Sequence, residues 1–410
     1  MQTGIVEIPS YFKGIGEIEK QLDKTNIKIL SAMWTYGPRN LLEISRKTGL
    51  PFTSVYHRVA KLEAKSGRIV YLLPETSKLG LVRVIVLIST KPGLDEIVRT
   101  ALKIPNLWRV INKCEGSFTH FSTHAVPIRM VSDFRRYIQT LVDVGLISDF
   151  KLILTGDSVG TFPNFEYYNP DLKQWVLPWG DWLSQIKEAE PKTTLEDPKD
   201  YDAHIDKKDV LIIAELEDDG RRRFSDMALV QSSLQVIKYH WDKRLKPAGF
   251  VNPKCFVYDV YPYPVEVCSY HEVMLEFNSA SAMNKFLSIA SDLLFVLSFE
   301  KVLKRNTLLA LTYISNSQLS NMFSFFSELI AKGILASYST VRLDFAGRET
   351  ECIPFRAYDE QKGWVVDFRK CAMELLGLVS QGTVSSRLSK VNRTEGLAEF
   401  SSNFSDFGSE

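Results

Sequence analysis

Of the 410 residues only five are cysteine (Cys114, Cys255, Cys268, Cys352 and Cys371), and no two of them form a C-x-x-C pair. An odd, scattered set speaks against a disulfide framework and a cysteine zinc site, and fits buried thiols in a reducing compartment. Long apolar runs are missing too. None approaches the ~20 residues of a membrane helix, and the N-terminus has no secretory pattern, so a cytoplasmic protein is expected. Net charge is nearly absent, at +1, and by itself names no partner. There is no G-x-x-x-x-G-K-[ST] loop, no G-x-G-x-x-G opening a helix and no G-x-S-x-G elbow. Carboxylates form no fixed-spacing pair suited to acid–base work. These absences lead to the expectation that the chain is not an enzyme and uses no cofactor and no metal.

What is present is ordinary in amount: 45% apolar and 24% charged residues, over a length that suits two to four domains. It is uneven in place. Residues 23–70 hold nine basic against three acidic side chains, a balance of +6, whereas residues 155–205 hold four against ten, or −6. The basic stretch contains the most informative segment, residues 41–63. It reads as two short helices joined by a turn at Gly49-Leu50-Pro51. At 3.6 residues per turn Phe52, Val55, Val59 and Leu62 share one arc and are expected to be buried. Thr53, Ser54, His57 and Lys61 face away, with Arg58 at the flank. A helix 52–65 held by its apolar side with a small polar and basic side outward suits the major groove of double-stranded DNA.

The chain is also written twice. Asp23–Leu30 is answered by Asp206–Ile213 at an offset of 183, and the same offset pairs Gly37 with Gly220, Arg39 with Arg222, Tyr56-His57 with Tyr239-His240 and Leu62 with Leu245. After each helical segment comes the order βαββαβ: strands at 81–89, 107–114, 117–125 and 147–154 with helices near 93–103 and 128–142, then strands at 267–277, 293–302, 307–315 and 334–345 with helices near 280–291 and 319–330. Both copies end in an aromatic tail, Phe165–Tyr168 before Trp175 and Phe355–Tyr358 before Trp364, which is expected to seat a following helix on the sheet.

The fold expected is α+β: two tandem units, each a winged helix-turn-helix followed by a ferredoxin-like βαββαβ module, with the two sheets facing each other. The divisions fall at 1–75 (first winged helix-turn-helix), 76–190 (first βαββαβ module and tail), 191–204 (linker), 205–262 (second helix-turn-helix), 263–379 (second module and tail helix) and 380–410 (disordered tail).

The run Gly49–Glu63 with Gly67-Arg68-Ile69 resembles the recognition helix and wing of the Lrp/AsnC (leucine-responsive, feast/famine) regulators, here in a tandem-duplicated, archaeal-like form. The resemblance implies a DNA-binding transcription regulator, a small-molecule effector, and a pseudo-dimer built within one chain that can itself pair as a homodimer. Two departures stand out. The family's Gly-x-x-Asp element is missing: Gly116 is followed by Ser117–His120, and the second copy has Lys304-Arg305-Asn306 at that hairpin. The second helix-turn-helix lacks the glycine turn, and its balance over 206–251 is +1. Its apolar face (Leu234, Ile237, Trp241, Leu245) fits an offset of 182, which turns Gln235, Tyr239 and Lys243 outward as further DNA-contact candidates. Arg221, Arg222 and Arg223, in the turn ahead of that helix, are candidates for phosphate contact.

Two other classes stay open. Siroheme decarboxylases resemble the same family, and His120, His124 and Arg129 could line an inter-module cavity for such chemistry. His120 and His124 lie ~13 Å apart along a strand, too far to share one metal ion. A protein-binding scaffold without catalysis is the third.

Overall fold

The computed structural model describes residues 18–66, 69–190, 194–261, 263–344 and 347–380. The expected wing residues Gly67 and Arg68 and the expected disordered tail from 381 onward lie outside the described residues, as does the start of the 191–204 linker.

The first helical unit holds α1 (Lys24–Tyr36), α2 (Leu41–Thr48) and α3 (Phe52–Ser66). Asp23 caps α1 by accepting from the Asn26 amide, and Asn40 caps α2 by accepting from that of Glu43. Gly49 ends α2 at φ 68°, the left-handed conformation that a side chain resists. Val55, Val59 and Leu62 are fully buried. Phe52 is not: at 45% exposure the first residue of α3 stands outside the core it was assigned to.

The first sheet follows: β2 (Leu81–Thr90), α4 (Asp95–Lys103), β3 (Trp108–Glu115), β4 (His120–Pro127), α5 (Val131–Asp143) and β5 (Ile147–Thr155), with strand order β5-β2-β4-β3. The second half repeats it as β10 (Cys268–Phe277), α9 (Ala280–Ala290), β11 (Val296–Lys301), β12 (Thr307–Ser315), α10 (Leu319–Ala331) and β13 (Leu335–Leu343), in the order β13-β10-β12-β11. Mixed helix and antiparallel sheet is thus what forms. Alternation along β2 explains the layering. Val82, Val84, Val86 and Ile88 pack under α4 and α5, while Ile85 and Leu87 meet Tyr270, Leu309 and Tyr313 of the other sheet.

The sheets join at both edges. Leu343 and Arg342 pair with Cys114 and Glu115, and Thr155 bridges Val302. Just beyond β5, the short β6 (Val159–Gly160) adds to β11. A Cβ on Gly160 would meet Val257 at 2.4 Å, so this crossing requires glycine.

Two expectations change here. Each "wing" is a single strand, and β1 (Val70–Leu72) pairs with β9 (Phe256–Tyr258) of the other half, so one ribbon serves both halves. The tail helices also cross over. The helix α6 (Trp179–Glu188) packs on α9 and α10 of the second half, with Trp179 stacked on Phe295 at a centroid separation of 5.2 Å. The last helix, α11 (Phe368–Ser380), packs on α5 of the first half through Phe134 and Tyr137. Each tail therefore covers the apolar helix face of the opposite half, which local patterning alone could not assign.

The second helical unit departs most. It has α7 (Lys207–Asp218) and α8 (Leu234–His240), but between them only a 3-10 turn, Phe224–Asp226, where α2 has its counterpart. Gln231 takes a left-handed φ of 45°. Directly after α8 a π-helical turn runs over Trp241–Leu245, with the Lys246 amide donating to the Trp241 carbonyl. Such a turn adds one residue. It reconciles the two offsets: Ile237 and Trp241 sit where Val55 and Val59 do at 182, and Leu245 returns to 183 with Leu62.

Candidate functional site

Two places concentrate chemistry. On the first helical unit Thr53, His57, Ala60 and Lys61 are exposed along α3, Ser54 is half-buried, and Lys65 continues the row. Arg46 and Lys47 are exposed at the end of α2. Arg58 belongs elsewhere. Its guanidinium donates to Asp23 at 2.8 Å and to Asn26 Oδ1 at 2.9 Å, tying α3 to the start of α1. That contact holds the Asp23 carboxyl below its usual range against the opposing effect of burial, the largest single influence on it. Arg58, expected among the DNA contacts, is placed by the structure as a brace within the unit, with its side chain 35% exposed.

Two of the three arginines expected at phosphates in the second unit are likewise engaged within the protein. Arg221 pairs with Glu63 of α3 and donates to the Pro38 carbonyl at 2.6 Å. Arg39 reaches from the first unit into the second, donating to the Gly220 and Arg222 carbonyls at 2.9 Å each and lying over Phe224 and Trp241. Arg222 pairs with Glu215 and Asp218. Of the three only Arg223 is exposed. On α8 and the following turn, Gln235, Tyr239 and Lys243 all point to solvent, Tyr239 at 59% exposure. His240 points inward. Its Nδ1 lies 2.8 Å from the buried Asp209, which also accepts from Arg244 at 2.7 Å and from the Asp206 amide at 3.1 Å. Asp206, Asp209 and His240 have ligand atoms within 4.8 Å of one another. The Arg244 guanidinium already balances both carboxylates, so the group reads as this unit's version of the Asp23–Asn26–Arg58 brace.

The second place lies between the sheets. Arg83 of β2 pairs with Glu300 of β11 at 2.8 Å, and Thr155 donates to Glu300 at 2.6 Å. Next to them is Glu272 of β10, half-buried, whose carboxyl is pushed up to about 8, first by burial and then by the charge of Glu300. Arg348 donates to the Tyr270 hydroxyl on the same face. Two carboxyls and two guanidinia from three strands and a loop meet in an otherwise apolar seam. Sequence spacing did not reveal them, because they come from different halves. The visible signal was a charge within a largely apolar strand, Arg83 alone in Leu81–Thr90 and Glu272 with Glu276 in Cys268–Phe277.

The histidines once cast for such a seam are not in it. His120 and His124 alternate with Val126 toward the helices, and His124 lies against Phe134 with centroids 4.8 Å apart. Burial holds them uncharged, lowering His120 to about 4 and His124 to about 3. Arg129 donates to the Trp364 carbonyl at 2.7 Å and so fastens the second tail. A notch of about 10 Å³, room for a single water, opens beside Arg83, Arg109, Ser158 and one side of His124.

No family model matches the chain, and no curated protein matches it. Solved structures do. The chain is similar to the crystal structure of the siroheme decarboxylase NirDL, at 14% identity and a TM-score of 0.47, over 86% of this chain and 98% of that one. An AsnC family transcriptional regulator from Agrobacterium tumefaciens matches at 19% identity and a TM-score of 0.27, over 32% of this chain and 89% of its own. A transcriptional regulator from Neisseria meningitidis, in complex with L-Met, matches at 21% and 0.27, over 32% and 88%. At these identities the likeness concerns the fold. One expectation is overturned by it. A chain without active-site motifs was read as no enzyme, whereas the solved chain matched along nearly its whole length is an enzyme, so the exclusion of catalysis is withdrawn. Among the described residues no helix is long and apolar enough to cross a membrane.

Proposed function

We propose that the chain is a sequence-reading DNA-binding regulator, built from two tandem helix-turn-helix and βαββαβ units, that enters the major groove with α3. The boundaries near 75 and 262 separate reading heads from sheets. The observation that carries the reading is the two-sidedness of α3: Val55, Val59 and Leu62 are fully buried while Thr53, His57 and Lys61 are exposed. Exposed Arg46, Lys47, Lys61 and Lys65 suit phosphates along the groove. The second unit acts mainly as a brace, with Arg221 held on Glu63 and Pro38 of the first, so one chain reads an asymmetric site. Selection of bound fragments from random genomic DNA tests this. The selected duplex should bind with a slope of log affinity against log salt of about −3 to −4, near −0.9 for each of four phosphates. No enrichment, or a slope near zero, contradicts the reading.

A second reading is favoured by the seam alone. A carboxyl that keeps its proton near pH 7 beside two guanidinia suits proton transfer to a carboxylate-bearing substrate. The iron-uroporphyrin III analogue found with NirDL is the natural probe. A bound Soret band that Glu272→Gln or Arg83→Ala abolishes would support an enzyme of that class, and no band at saturating probe would count against it.

A further inference from the structure

Resting on the DNA reading, we propose that Phe52 and Tyr56 form an apolar reading edge that selects thymine by its C5-methyl group. Phe52 is the first residue of α3 and Tyr56 stands one turn later, each 45% exposed, with ring centroids 6.2 Å apart. Tyr56 also lies edge-on to His57 at 5.7 Å, so three rings make one ordered strip. These rings are left in water at the start of a two-sided helix, apart from the core of this unit, which takes Leu50, Val55, Val59 and Leu62 but neither ring. A protein partner would also cover them, but the same unit exposes the cations Lys61 on α3 and Arg46 and Lys47 at the end of α2, the last over the Tyr36 ring, with Thr53 between Phe52 and Tyr56 in the sequence. That surround suits a polyanion. The N-terminal residues of a recognition helix are those that reach base edges, and the one apolar group a base pair offers in the major groove is the thymine methyl.

The test uses the full chain and its selected duplex, with thymine replaced by deoxyuridine at one position at a time. This removes the methyl and changes nothing else. At one or two positions wild-type affinity should fall about fourfold, the equivalent of one buried methyl. Phe52→Ala or Tyr56→Ala should bind more weakly and lose that sensitivity, while Tyr56→Phe keeps it. Tight binding unaffected by deoxyuridine at every position overturns the proposal while leaving the DNA reading intact. Absence of any selected duplex defeats the DNA reading itself, and the proposal with it.

Discussion

The two helical units share one sequence pattern but are built differently, and in the function proposed above one reads DNA while the other braces it. In the first, Asp23 and Asn26 hold Arg58, while Ala60, Lys61 and Lys65 beyond it stay exposed. In the second, the equivalent Asp206 and Asp209 hold His240 and Arg244, which draws the helix inward and closes it with a π turn. The first unit keeps α2 and its Gly49 turn; the second has reduced that helix to Phe224–Asp226. At the offset of 183, the first unit's Trp34, stacked on Phe162 at 5.0 Å, answers the second unit's buried Glu217, paired with Arg109 of the first sheet. A duplicated head that gives up its basic surface gains contacts instead, and those contacts fix the remaining head on the double sheet. This division between a reader and a brace can be broken at several points.

The largest expected effect is on the brace. Arg109→Leu leaves Glu217, which is 5% exposed, without its cation, and should cost about 3–5 kcal/mol in chemical denaturation. The corresponding cut in the reader is milder. Arg58→Ala breaks a half-exposed pair with Asp23 and should cost about 1 kcal/mol or less, with DNA affinity changed less than twofold.

The pH dependence separates the seam from the helix layers. Glu272 has a folded value of about 8 against 4.5 unfolded, so its contribution is complete below about pH 4.5 and is lost as pH rises to about 8. Thermal midpoints should therefore fall over that range in wild type and fall less in Glu272→Gln. His120 and His124 act with the opposite sign. Their contribution is present above 6.5 and lost as pH falls toward 4 and 3, so His124→Phe should flatten the acid side of the profile. The smallest effect is expected at Gln235→Ala and Tyr239→Ala, which should leave both stability and DNA affinity within about twofold.

Much of the fold was legible because alternation and helical spacing are local. The strand expected at 81–89 forms over Leu81–Thr90, and the repeat at Asp23 and Asp206 returns as two N-caps. What pairs across the halves was not legible. Nothing near Val70 says that it will meet Tyr258, and nothing near Trp179 says that it will lie on Phe295. At the site, exposure of Thr53, His57 and Lys61 followed from the arc they share. The fate of Arg58, Arg221 and Arg222 did not, because each is decided by a carboxylate or carbonyl that folding brings to it.

The division between reader and brace is tested most directly by reversing one charge on each. Lys61→Glu and Lys243→Glu occupy matching outward positions at the offset of 182 and leave the core untouched. With the selected duplex at one salt concentration, the account predicts about a tenfold or greater loss for Lys61→Glu and less than threefold for Lys243→Glu. Equal losses, or a larger loss for Lys243→Glu, would contradict it.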